Sequence, residues 1–125
     1  MKFKDDVIFK GHTAPDELKF IIPAALAMTY VSFFEGFGIP IVEAMKCGTP
    51  VITSDTSCMP EIAGGAALLC DPNSPESIAQ KMIDVANSPD NNEALVTQGL
   101  ERAGVFSWDI TAEKRWISME KVLGL

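Results

Sequence analysis

Two glutamates bracket a glycine turn in Glu35-Gly36-Phe37-Gly38-Ile39-Pro40-Ile41-Val42-Glu43, and the chemistry of this chain concentrates there. A carboxylate offers two oxygens to two donors, so this pair suits a ligand rich in neighbouring hydroxyls. Gly36 and Gly38 permit a tight turn and let backbone N–H groups approach a ligand with no Cβ in the way. An apolar run, Leu26 to Val31, precedes the turn and reads as a buried strand. Pro40 suits the start of the helix that follows, where its missing N–H would have been unpaired anyway. Gly48 stands where a helix end often needs a left-handed residue. A strand feeding a glycine-rich turn and a helix N-terminus is a general device for holding phosphate.

The 125 residues suffice for one domain with a core, and 47% hydrophobic with 22% charged residues is ordinary globular composition. A net charge of −7 argues against nucleic acid or an anionic membrane as the main partner. No apolar run approaches the roughly 20 residues of a membrane helix, and Met1 to Asp6 shows no signal-peptide core. A cytoplasmic location is therefore expected. Cys47, Cys58 and Cys70 match no zinc or disulfide framework and are expected as buried free thiols. With His12 as the single histidine, no metal site is expected.

The elements that must position the turn alternate along the chain. Strands are expected at Val7–Lys10, Leu26–Val31, Pro50–Thr53 and Ala67–Cys70, as continuous apolar runs of the kind found in parallel sheets covered on both faces. Thr13 and Asp16 form a capping-box pattern opening a helix through Ile22, which Pro23 interrupts. Pro60–Ala63 reads as one helical turn stopped by Gly64-Gly65. Ser74, Pro75 and Glu76 are an N-cap, a first helical residue and a dipole-compensating acid for a helix running to Asn87. Ser88–Asn92 is expected as a turn, Leu95–Ala103 as helix, and Ala112, Trp116, Met119 and Leu123 as one face of a last helix. The fold class is α/β: a partial Rossmann-like parallel sheet of about four strands, helices on both faces, and a helical C-terminal tail.

The run from Glu35 to Ser54, with its glutamates separated by seven residues, resembles the donor-site signature of retaining GT-B-fold glycosyltransferases of the group 1, family 4 type. Pro60-Glu61-Ile62, Gly65–Leu69, Asp71-Pro72, Gly99-Leu100, Arg102-Ala103 and Phe106-Ser107-Trp108 extend the resemblance over nearly the whole chain. It implies part of a C-terminal donor-binding domain, with the acceptor-binding N-terminal domain and the first strands of this domain absent. The resemblance implies that Glu35 is the catalytic-site residue, bonding hydroxyls of the donor sugar, and that Glu43 accepts from the ribose. It further places the amides of Gly36, Phe37 and Gly38 near the sugar, and those of Ile39 and Ile41 near the diphosphate. Thr53 and Ser54, ending a strand, are candidate ligand contacts, and His12 lies where the family loop nears the base. Phe33 and Phe34 are expected to line the core or a cleft.

The implied activity is transfer of a hexosyl group from a nucleotide-diphosphate sugar to an acceptor hydroxyl with retained configuration. No cofactor is expected beyond that donor substrate. The acceptor, a glycan or lipid-linked glycan, would be bound by the absent domain, with the longer protein peripheral at the inner face of the membrane. No Lys or Arg lies between Lys19 and Lys46 to balance a diphosphate, so this chain alone is expected to be inactive. A non-catalytic binding or interaction module and a sugar-nucleotide epimerase stay open as alternatives. The unpaired edge left by absent strands is expected to permit self-association through Val7–Lys10.

Overall fold

The computed structural model describes residues 2–124. Its centre is β2 (Val51–Ser54), every residue of which is buried. Parallel neighbours flank it: β1 (Met28–Tyr30) on one side and β3 (Leu68–Cys70) on the other, in the order β1-β2-β3. Met28 sits opposite Val51, and Ile52 opposite Leu68. Side chains alternate across a strand, so Val51 and Ile52 feed separate cores. Val51 joins Ile41, Val42, Ala44 and Met45 of α2 (Ile39–Lys46), Met59, Ile62 and Ala63 of α3 (Met59–Ala63), and Ala103 of α5 (Pro89–Gly104). On the opposite face Ile52 packs with Cys70 and with Val85 of α4 (Pro75–Asn87).

Local signals explain most of these elements. Gly38 precedes α2 with φ +88, a left-handed conformation in which a Cβ would be strained, and Pro40 lies in the first turn. Gly48 takes φ +69 just beyond the helix, as its position after Lys46 suggests. The Ser74 hydroxyl accepts a hydrogen bond from the Ser77 amide at 3.1 Å, the N-cap contact expected for α4.

The structure departs from the expected elements at several places. Val7–Lys10 forms no strand: a short 3-10 helix, Lys4–Asp6, precedes it, and Ile8 and Phe9 are 82% and 90% exposed. Among the described residues the sheet therefore has three strands rather than about four. An apolar sequence of β-formers is insufficient when no neighbouring strand supplies its ladder. The Thr13–Asp16 box does not form either; α1 (Pro15–Ala24) starts after Ala14 without a side-chain cap and contains Pro23 within its last turn. Residues 88–92 are not a turn, because α5 starts at Pro89, directly after Ser88.

Burial also differs from expectation. Phe33 and Phe34 are 68% and 80% exposed and stand outside the core. The cysteines are free as expected but not all buried: Cys47 is exposed, Cys58 half-buried and Cys70 buried. The last helix, α6 (Trp108–Leu123), buries no residue, and Trp116 and Met119 are exposed. Accessible surface totals 8780 Å², against roughly 6,500 Å² for a compact monomer of this size. Large apolar side chains of α6 and of the N-terminal segment, among them Trp116, Val122, Ile8 and Phe9, are exposed.

Thiol chemistry provides a direct check. Burial is the largest cause raising the Cys70 thiol above its ordinary pKa, with Asp55 and Asp71 adding to it. Maleimide at neutral pH is expected to label Cys47 in the native chain and to reach Cys70 only after denaturation. Equal labelling of both without denaturant would contradict this packing.

Candidate functional site

The site lies beyond the carboxyl ends of β1 and β2, where open α/β sheets present ligands. Leaving β1 at Tyr30, the chain runs through Ser32 to Glu35. The Tyr30 hydroxyl donates to Glu35 Oε1 at 2.6 Å, and the Ser32 hydroxyl donates to the same oxygen at 2.9 Å. Among the described residues Oε2 has no partner, so one carboxylate oxygen is anchored and the other is left for a ligand. Tyr30 first, and Ser32 second, hold the Glu35 carboxyl below the usual glutamate range, against a smaller opposing effect of burial. Reciprocally, the Glu35 carboxylate pushes the Tyr30 phenol up.

The Glu35 backbone is held from the loop after β2. Its N–H donates to Ser57 Oγ at 3.3 Å; its carbonyl accepts from Ser57 Oγ at 3.1 Å and from Cys58 Sγ at 3.2 Å. Ser57 makes these bonds with φ +56, a left-handed conformation uncommon for a residue with a Cβ. Strain of this kind persists where surrounding contacts over-determine the backbone.

Past Glu35 the amides of Gly36, Phe37, Gly38 and Ile39 find no acceptor among the described residues. Four successive free donors thus meet the positive end of α2. Gly36, Phe37 and Ile39 are exposed and Gly38 is buried beneath them. Ile41 is placed differently: its side chain is wholly buried and its amide donates to Gly38 O at 3.0 Å. That bond closes the first turn of the helix, so the Ile41 amide is not available to a diphosphate.

Glu43 is exposed on α2, one turn beyond Ile39 on the same face. Its carboxylate makes no hydrogen bond or ion pair within the described residues. Thr53 and Ser54 are fully buried. Thr53 Oγ1 donates to Tyr30 O at 2.8 Å, and Ser54 Oγ donates to Ser32 O. Both hydroxyls, candidate ligand contacts by their place at a strand end, instead tie β2 to the strand and loop that carry Glu35. His12 is exposed on a loop.

Tyr30, Ser32, Ser57 and Cys58 were missed in the sequence. Tyr30, the single tyrosine, ends the strand five residues before Glu35, and that position was a usable signal. Ser57 and Cys58 are 22 and 23 residues away along the chain and carry no local sign of their role.

A Rossmann-like parallel sheet with an anchored carboxylate and free amides at the ends of its strands defines an open α/β domain. The chain belongs to the family of glycosyl transferases group 1, whose model matches residues 1–102. It is 37% identical over 101 residues to O-antigen chain mannosyltransferase B of Escherichia coli, covering 81% of this chain and 26% of that protein. O-antigen chain mannosyltransferase RfbU of Salmonella typhimurium is also 37% identical, over 72% of this chain and 26% of that protein. Among solved structures, sucrose-phosphate synthase from Thermosynechococcus elongatus superposes with a TM-score of 0.84 at 26% identity, over 98% of this chain and 32% of that one. The chain thus spans about a quarter of the length of those two mannosyltransferases. No helix among the described residues is long and apolar enough to cross a membrane.

The anchoring of Glu35 sets a pH signature. Because its carboxyl ionises below the unfolded value, its stabilising contribution is complete above the ordinary glutamate range and is lost as pH falls through the lowered value. Tyr30→Phe removes the leading cause and is expected to raise the Glu35 pKa toward the ordinary range, followed by carboxyl-carbon NMR. An unchanged titration would show that the phenol does not set it.

Proposed function

We propose that this chain is the donor-binding part of a hexosyltransferase, with a mannosyl group on a nucleotide diphosphate as donor. The carrying observation is the juxtaposition of a half-anchored Glu35 carboxylate with four free amides at the start of α2. A free carboxylate oxygen accepts from a sugar hydroxyl, and amides at a helix N-terminus favour a phosphate. Glu43, one helical turn away with its carboxylate unengaged, is suited to accept from the ribose diol. Family membership and the mannosyltransferase names of the relatives support the reading.

In the reaction, the bond from the anomeric carbon to the diphosphate breaks and a bond to the acceptor oxygen forms. The acceptor proton leaves with solvent or the diphosphate. Retention of configuration and a glycan acceptor are part of the proposal. The domain's task is to hold the leaving diphosphate and stabilise its growing charge with preorganised donors. A helix end offers only about half a positive charge, and no Lys or Arg lies between Lys19 and Lys46. Additional cations, and the acceptor site, would come from the remainder of a longer protein, working in the cytoplasm. In this chain alone the expected behaviour is weak donor binding without turnover.

Titration with a nucleotide-diphosphate mannose, followed by amide NMR, is expected to perturb Gly36, Phe37, Gly38 and Ile39 at submillimolar to millimolar donor. Glu43→Gln should weaken binding by at least about tenfold, the scale of a lost hydrogen bond to a charged group. No perturbation at these amides would overturn the assignment. Sugar transfer by this chain alone would instead overturn the division of labour between it and a longer protein.

A further inference from the structure

We propose that Phe106 and Arg102 are positioning residues that hold the glycine turn in its ligand-receiving form, with α3 as the brace. The functional consequence rests on the donor-binding reading above; the mechanical one does not. Phe37, the side chain between the two turn glycines, meets Phe106 edge to face, with ring centroids 5.5 Å apart and planes at 88°. On Phe106 lies the guanidinium of Arg102, its Cζ 4.8 Å from the ring centroid. Arg102 is itself anchored. Its Nη2 donates to Glu61 O at 2.6 Å and its Nε to Ile62 O at 2.9 Å.

Those two carbonyls belong to the end of α3, where helical acceptors lack intrahelical partners. Gly64 makes room for the contact: a Cβ there would lie 2.5 Å from Arg102 Nε, at a backbone φ of +56. The opposite end of α3 carries Ser57 and Cys58, which grip the Glu35 backbone. One short helix therefore reaches the turn at two points, its entry through Glu35 and its apex through Arg102, Phe106 and Phe37.

The need for this second hold follows from the turn itself. Gly36 and Gly38 impose no conformation of their own, and the four amides have no partner within the described residues. Without Phe37 seated on Phe106, the turn is held at its ends, by Glu35 and by α2, while its apex, which carries the amides that would face a diphosphate, loses its side-chain hold. Because only donors already in place help a binding or reacting group, the aromatic pair acts through the turn and touches no ligand.

Phe106→Leu tests this by nitrogen relaxation in the ligand-free chain. Order at Phe37 and Gly38 is expected to fall from the rigid range near 0.85 to below about 0.6. Glu35, held by Ser57, should keep both its amide order and its carboxyl titration, which general damage to the fold would disturb. Phe106→Tyr, keeping the ring edge, should restore the turn. Should Phe106→Leu not fold, Arg102→Lys provides the same readout, because an ammonium cannot span two carbonyls and lie flat on the ring. With uridine or guanosine diphosphate as probe, affinity should drop about three- to tenfold in Phe106→Leu and recover in Phe106→Tyr, the scale of one aromatic contact. Unchanged turn order in Phe106→Leu, or equal loss in Phe106→Tyr, would overturn the inference. If neither nucleotide binds the unaltered chain, the donor-binding reading fails, while the relaxation result still decides the positioning role.

Discussion

A loop whose backbone donors must stay free cannot stabilise itself with them. The turn from Gly36 to Ile39 leaves four amides without a partner among the described residues, and in most proteins such groups are paired or solvated. Its conformation must then be imposed by side chains from elsewhere. Tyr30 and Ser32 fix the Glu35 carboxylate, Ser57 and Cys58 fix its backbone, and Phe106 seats Phe37. The rest of the fold is arranged to deliver those groups.

The order β1-β2-β3 makes this delivery possible. Parallel strands bring the ends of β1 and β2 to the same edge, so the loops after them meet. Thr53 and Ser54 lock that meeting by hydrogen bonds to Tyr30 and Ser32 carbonyls, and their burial protects the bonds from water. Behind the turn, the α2 side chains Ile41, Val42, Ala44 and Met45 are rooted in the main core. A rigid base with a free-donor rim suits a site that stabilises charge by preorganisation rather than by rearrangement.

Read as the proposed donor-binding part, the chain supplies only some of what sugar transfer requires. Under the proposed donor-binding role, the carboxylates of Glu35 and Glu43 would take hydroxyls, and the helix end would hold phosphate only weakly. The exposed faces of α6 and of the N-terminal segment add surface beyond that of a compact monomer. Both features accord with a chain that spans about a quarter of its full-length relatives.

Local patterns in the sequence determined much of this protein. The glycines around Phe37, the proline opening α2, the Ser74 cap and the apolar runs of β1, β2 and β3 each act within a few residues, and the two glutamates were legible with them. Long-range pairing was decided only by the tertiary structure. Val7–Lys10 has strand-like residues but no ladder, because a strand requires a neighbour that local preference cannot provide. The inward hydroxyls of Thr53 and Ser54, the grip of Ser57 on Glu35 and the reach of Arg102 across about 40 residues to α3 are of the same kind. Each depends on which strand ends and helix ends the fold brings together, and no short window of sequence contains both partners.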